Sequence, residues 1–336
     1  MGIDLLLLIK ILVLPVILGL FAIFVGLLYK GIDRKIAAHM QARIGPPIRQ
    51  PFRDVRKLLI KENIIPENAI EWVFNLAPVV AVVAGISILL YVPIGTPELT
   101  VLSGYGDLIL IIYLLMIPAL ALVIGGMASG SPYATVGAQR EMVMMMSYEF
   151  PLAVAIVAVA WKLGSFSLPV ISSRPVWGFV EPNLHPLGFV GFCLLVLTLL
   201  VITPIELSKI PFDVPEAETE IGSGLLAEYS GRNLALFVLA DGVKTVAIGS
   251  LVVATFFPWG LAPLLGLSGW LARVVDILFF LLKVLIIIII SVTFVRVAAA
   301  RLKIDQVAYT YFIPLTVLAF CGLALVVLDE LLFMGV

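Results

Sequence analysis

The sequence predicts an all-α, polytopic membrane protein with about eight transmembrane helices in a single membrane domain, residues 1–336. Three observations carry this. The chain is 62% apolar and only 13% charged, and its mean hydropathy of +1.17 lies far above that of soluble domains. Eight mostly apolar runs, roughly 3–29, 70–93, 107–128, 142–162, 186–206, 234–257, 275–299 and 307–333, reach the ~20 residues needed to cross hydrocarbon. None shows strand alternation, and lipid admits only helices or closed barrels, whose backbone groups are satisfied internally.

The first run, "IDLLLLIKILVLPVILGLFAIFVGLLY", is too long for a signal-peptide core and lacks a basic start and a small-residue cleavage site. It reads as a retained helix, broken or kinked near Pro15. A basic loop, 30–69, follows with Lys30, Arg34, Lys35, Arg43, Arg49, Arg53, Arg56, Lys57 and Lys61. Within it, "FRDVRKLLIK" places Phe52, Val55, Leu58 and Leu59 on one face and Arg53, Arg56 and Lys57 elsewhere. That pattern is a short amphipathic helix in the membrane interface. It suits anchoring on acidic lipid and docking of a soluble protein equally well, with Arg49, Arg53, Arg56 and Lys57 as the docking residues. Just before it, Gly45-Pro46-Pro47 forms a turn, and Arg43 beside that turn could point at an anion or a carboxylate.

The third loop, "ASGSPYATVGAQRE", is rich in small residues, and loop 163–185 reads as a lid or spacer. No internal repeat stands out, which counts against repeat-built secondary transporters. Beyond the first loop, Arg140, Lys209, Arg232, Arg296, Arg301 and Lys303 fall on the same side of the spans. The opposite loops carry little beyond Lys162, Arg174 and Arg273. The positive-inside rule then places the first, third, fifth and seventh loops in the cytoplasm and both termini outside.

Cys193, Cys321, His39 and His185 have no companions at ligand spacing, and there is no CxxC, HExxH or phosphate-binding glycine loop. No cofactor, metal or catalytic centre is expected on this chain, and no nucleic-acid partner. The chemistry-bearing residues are instead charges within or beside the spans. Such groups are costly in lipid and must face protein or water. Asp241 and Lys244 share a helix face at i, i+3, which fits either an internal salt bridge or a relay. Glu149 has no basic residue within a turn, so it is a candidate for proton uptake and release. Glu206 and Lys209 stand three apart at the end of the fifth run.

One stretch, "PFDVPEAETEIGSGLLAEYSG", carries Asp213, Glu216, Glu218, Glu220 and Glu228 without a single Lys or Arg. It lies in an acidic loop, 206–233. Pro211 and Pro215 exclude a regular helix over 209–215. Glu216 and Glu220, at i, i+4, would repel each other on one face. Most charge runs are solvated. Here Ile210, Phe212, Val214, Ile221, Leu225 and Leu226 interleave with the acids, which favours a proton relay or its entrance.

Three segments carry a resemblance. "IELSKIPFDVPEAETEIGSGLLAEYSG", "GAQREMVMMMSYE" and "DRKIAAHMQARIGP" resemble signatures of the ND1-type subunit of respiratory complex I, and the likeness is collinear over essentially the whole chain. The segment after the "RIGP" turn is shorter than in complex I proper, and Glu141 follows Arg140 where quinone-reducing relatives usually have a small residue. In these respects the chain is most similar to the version in group 4 membrane-bound nickel–iron hydrogenases and related archaeal sulfur-reductase complexes.

The resemblance implies a membrane anchor and coupling component of a redox-driven ion pump in the plasma membrane. It would hold hydrophilic redox-arm subunits on the cytoplasmic side. It would pass protons, or a conformational or charge signal, to antiporter-like and small membrane subunits. Glu149, Asp213, Glu216, Glu218, Glu220 and Glu228 would form the acidic channel, with Glu141 an extra acid and Arg34, Arg43 and Arg140 as junction cations. Iron–sulfur clusters and, in the hydrogenases, a nickel–iron centre would reside on the partner subunits. One alternative is the quinone-binding component of an NADH or ferredoxin:quinone oxidoreductase. An alternative of another class is a stand-alone cation/proton antiporter.

Overall fold

The computed structural model of the chain describes residues 5–95, 102, 106–174 and 185–333, with side chains described from Val13 to Leu332 within those ranges. Among the described residues every regular element is helical. The long helices are α1 (Leu5–Met40), α3 (Glu71–Tyr91), α4 (Leu108–Ala128), α5 (Pro132–Leu163), α7 (Pro186–Glu206) and α9 (Gly231–Phe256), with short α2 (Gln50–Ile60), α6 (Leu168–Ser173) and α8 (Glu218–Ile221) between them. α10 (Trp270–Ile288) continues through a π turn, Ile289–Thr293, into α11 (Phe294–Ala298). α12 (Ile304–Thr310) continues through a second π turn, Tyr311–Leu315, into α13 (Thr316–Phe333). Eight of these rods are long and apolar enough to cross a membrane, the last two pairs each counting as one span.

Local chemistry sets many of the ends. α2, α5, α6 and α7 open with a proline in their first turn, where the missing N–H has no intrahelical partner to lose. Gly164, at φ 62°, closes α5 in the left-handed region. Prolines inside the spans do not end them: α1 runs unbroken through Pro15, contrary to the break expected there, and Pro78, Pro118, Pro151 and Pro204 are likewise helical. Where neighbouring helices pack on the rod and no water competes, a proline is tolerated.

Two helices are longer than their apolar runs. α1 extends to Met40, so Lys30, Arg34 and Lys35 belong to a helix rather than to the basic loop. Its extra turns are held from outside: Asp33 accepts hydrogen bonds from Thr293 (2.7 Å) and Arg296 (3.0 Å). α5 begins at Pro132, so the third connection shrinks to residues 129–131, and Arg140 and Glu141 are helical.

α9 is the most enclosed span, packing on α1, α3 and α10. The α1–α9 crossing needs a glycine at position 26, because a Cβ there would stand 2.3 Å from the Gly242 carbonyl oxygen. Phe74 of α3 and Tyr229, just ahead of α9, stack at 4.1 Å. Opposite faces stay apolar and open, as with Val16, Ile17 and Leu20 on α1 and Leu278, Leu282 and Ile286 on α10. In a membrane such faces meet lipid or other proteins.

α2 rests on α1 and α9. Pro51 and Val55 are buried, the Phe52 ring lies 5.6 Å from that of Phe24, and Arg49, Arg53, Arg56 and Lys57 are exposed. Leu59, on the same apolar stripe, is 54% exposed, so at only eleven residues the helix buries a narrow part of that stripe against the protein. The segments 41–70, 129–131, 207–230 and 299–303 gather at one end of the bundle, because successive spans alternate direction.

Candidate functional site

At that end, α1, α3, α4, α5, α7, α9 and the 207–230 segment line a cavity of about 210 Å³, room for several waters. Its wall is partly apolar, with Pro118, Leu122, Leu226 and Phe237. Eight ionisable side chains also line it: Lys30, Arg34, Lys209 and Lys244 against Glu141, Glu206, Glu216 and Asp241.

These charges pair across elements. Asp241 of α9 receives two ammonium groups, Lys30 and Lys209, each at 2.6 Å, and Lys30 also donates to the Val238 carbonyl at 2.8 Å. Lys244, one turn further along α9, meets the Glu206 carboxylate at 2.8 Å and donates to the Glu206 backbone oxygen at 2.6 Å. The i, i+3 pair expected within α9 therefore does not form; each member has a partner from another element. Of the remaining acids, Glu141 is 2% exposed and accepts only a long hydrogen bond from Ser208, 3.5 Å. Glu216 is half-buried and has no ion pair among the described residues.

The electrostatics single out Glu216. Burial pushes its carboxyl up to about 7, with Asp241 and Asp213 adding to the rise and Lys209 and Lys30 opposing it. Burial alone would lower the Lys209 ammonium, but the Asp241 carboxylate outweighs it and holds the group above its usual value. The Lys30–Asp241–Lys209 cluster carries one net positive charge. Glu206–Lys244 is neutral. Glu141 and Glu216 are thus the two acids on the cavity wall without an ion pair among the described residues.

The acidic loop folds as a 3-10 turn, Val214–Glu216, then α8, then a second 3-10 turn, Gly224–Leu226. Extended Ala217 separates the first two, so Glu216 and Glu220 do not share a helical face. Glu216 enters the cavity, whereas Glu220 is exposed and pairs with Arg140 at 2.6 Å. Asp213 pairs with Arg301. Glu218 and Glu228 are exposed and without an ion pair among the described residues. Glu149 is half-buried on α5 and stands apart from the cavity wall. Among the junction cations, Arg34 pairs with Asp54 at 3.1 Å, Arg43 is exposed, and only Arg140 grips the acidic loop.

Four contributors lie outside the expected acidic channel and junction cations: Lys30, Glu206 and Lys209 in the cavity, and Arg301 on the loop. Glu206 and Lys209 had a signal in their spacing at the end of an apolar run. Lys30 and Arg301 had none, because their partners are remote in the chain. Among the described residues there is no cluster of three or more His, Cys, Asp or Glu able to hold a metal.

A bundle of eight apolar spans with an ionic cavity at one end defines a multi-pass membrane protein. The chain belongs to the NADH dehydrogenase family, whose sequence model matches residues 11–327. It is 33% identical to the H component of the NADH-quinone oxidoreductase of Syntrophotalea carbinolica over 291 residues, 82% of each chain. It is 36% identical to hydrogenase-4 component C of Escherichia coli over 266 residues, 79% of this chain and 80% of that one. Among solved structures it matches a chain of the membrane-bound sulfane sulfur reductase, an archaeal respiratory membrane complex. That match has a TM-score of 0.81 and 30% identity, covering 95% of this chain and 99% of the other.

Proposed function

We propose that this chain is the membrane anchor and coupling component of a redox-driven ion pump of the hydrogenase or sulfur-reductase type. It binds a soluble redox arm at the end that carries α2 and the acidic loop. The arm supplies the iron–sulfur clusters and, in a hydrogenase, the nickel–iron centre. The observation that carries this reading is the cavity: Glu141 and Glu216, two acids without ion pairs among the described residues, stand beside two fixed ionic clusters at the arm-facing end. Family membership and the likeness to the sulfane sulfur reductase chain support it.

A redox event nearby changes the local potential. Glu216 or Glu141 then gains or loses a proton, and the charge change passes along α5 toward Glu149 and adjoining antiporter-like proteins. Asp213, Glu218, Glu220 and Glu228 form the outer acidic rim, and Asp241 and Lys244 hold the fixed charges. Glu141→Gln and Glu216→Gln keep shape and hydrogen bonding but remove titration. In proteoliposomes holding the whole complex, each variant lowers ion translocation per turnover by about tenfold or more. Pumping at the parent ratio and rate in both would sink the reading.

A second reading draws on the relatives from NADH-quinone oxidoreductases: a quinone-binding role. Solvent extraction of the purified complex separates the two, since a quinone-binding chain retains stoichiometric quinone and a hydrogenase-type one does not.

A further inference from the structure

The segment that carries Glu216 is held by two guanidinium groups, each reaching one residue before Glu216 and one after it. Arg301, in the connector between α11 and α12, donates through Nε to both Asp213 carboxylate oxygens, 2.9 and 3.0 Å. Its Nη2 donates to Asp213 as well, and its Nη1 to the Thr219 hydroxyl at 3.0 Å. Arg140 of α5 donates through Nη1 to the Val214 carbonyl, 3.2 Å, and to the Glu220 carboxylate, 2.6 Å. The connector adds one contact, the Leu302 N–H donating to the Pro211 carbonyl at 3.3 Å, and the π turn beyond α12 adds another, the Tyr311 ring meeting the Phe212 ring edge-on at 5.2 Å. On the α5 side the backbone approaches closely. A Cβ at Gly137 would stand 2.8 Å from both the Pro215 oxygen and the Leu225 nitrogen.

We propose that Arg301 and Arg140 are positioning residues that staple the 213–220 turn shut from opposite sides and so hold the Glu216 carboxyl in the cavity. At Arg301 the planar fork matters: Nε and Nη2 lie on the Asp213 carboxylate while Nη1 reaches Thr219, a geometry that a compact ammonium does not reproduce. The π turns Ile289–Thr293 and Tyr311–Leu315 flank the Arg301 connector. Such turns are where a helix carries an extra residue per turn, so a shift in the last two spans would act on the Arg301 staple first. For its functional meaning this inference rests on the coupling role of the cavity; the staple itself does not.

Glu216 faces Lys209 and Asp213 on its own segment, Asp241 and Lys244 on α9, Lys30 and Arg34 on α1, Glu141 on α5 and Glu206 on α7. With the staples closed, burial among these groups keeps its carboxyl up at about 7. With a staple opened, the turn relaxes toward solvent and the carboxyl falls toward its ordinary range.

The test is an infrared pH titration of the intact complex, following the protonated-carboxyl band that disappears in Glu216→Gln. In Arg301→Gln the midpoint of that band falls by about one pH unit or more. Arg301→Lys retains the charge without the fork and gives a fall as well. Amide hydrogen exchange over 213–220 rises about tenfold in the same variants. An assembled Arg301→Gln complex with the parent midpoint and parent exchange overturns the proposal. Should Arg301→Gln fail to assemble, Thr219→Val removes one grip and is read by the same criterion. The titration needs no turnover, so failure of the pumping role and failure of the staple are read separately.

Discussion

Lys244 and Glu206 are 7% and 2% exposed, and their side chains meet at 2.8 Å deep in the bundle. Removing one member of such a pair leaves the other charge buried without compensation, which costs about 3–5 kcal/mol. Removing both leaves two neutral groups and costs much less. Lys244→Met should therefore lower the thermal midpoint of the purified complex markedly, and Lys244→Met with Glu206→Gln should recover a large part of the loss. A loss in the double variant equal to the sum of the two single losses would show that the two groups do not depend on each other. Glu216 gives a prediction of another kind. Its folded-state carboxyl is raised from 4.5 to about 7, so the folded state binds the proton more tightly than the unfolded chain. The resulting contribution to stability is fully present below pH about 4.5 and is lost as pH rises through about 7. Glu216→Gln removes this slope, and thermal midpoints measured across that interval should be flatter in the variant than in the parent.

Elements show what sequence alone could deliver. The eight spans were legible because hydropathy is a local property and each run is long enough to cross lipid by itself. The ends of α1 and α5 were not, because residues 30–40 and 132–141 are polar or small and their helicity depends on remote partners such as Arg296 for Asp33 and Glu220 for Arg140. The acidic loop was legible as a concentration of carboxylates. The i, i+4 rule then mispaired Glu216 with Glu220, because Ala217 turns extended between them. Likewise Asp241 and Lys244 do share a face, yet an ammonium from α1 and a carboxylate from α7 reach them first. In α2, Val55 is buried and the arginines are exposed, which leaves a specific expectation for that helix. Reversing Arg53 and Arg56 to Glu touches no buried contact, so assembly of the membrane part persists while the soluble arm dissociates at moderate salt. Retention of the arm through high salt would make α2 a lipid anchor alone.

At the scale of the whole molecule, the charge asymmetry between the two ends of the bundle predicts its orientation. The end with the cavity holds α2, the acidic loop and the Arg301 connector, and nearly all the lysines and arginines outside the hydrocarbon. The opposite end has Lys162, Arg174 and Arg273, and Lys162 is buried against Asp329 at 3.9 Å. Basic residues in short connections resist translocation, so the expectation is a cavity end facing the cytoplasm and, with an even number of spans, both termini facing out. Single cysteines can read this in a background where Cys193 and Cys321 are replaced by alanine. Ala227→Cys lies exposed in the acidic loop, and Ser268→Cys lies exposed in the connection between α9 and α10 at the other end. Neither side chain takes part in the cavity. A membrane-impermeant maleimide should modify Ser268→Cys in right-side-out vesicles and Ala227→Cys only in inverted ones. The reverse pattern would put the acidic loop outside the cell, away from any cytoplasmic redox arm. Labelling of both from one side would break the eight-span topology. The coupling role requires the first pattern, because a cavity can answer electron transfer only from the side on which its donor docks.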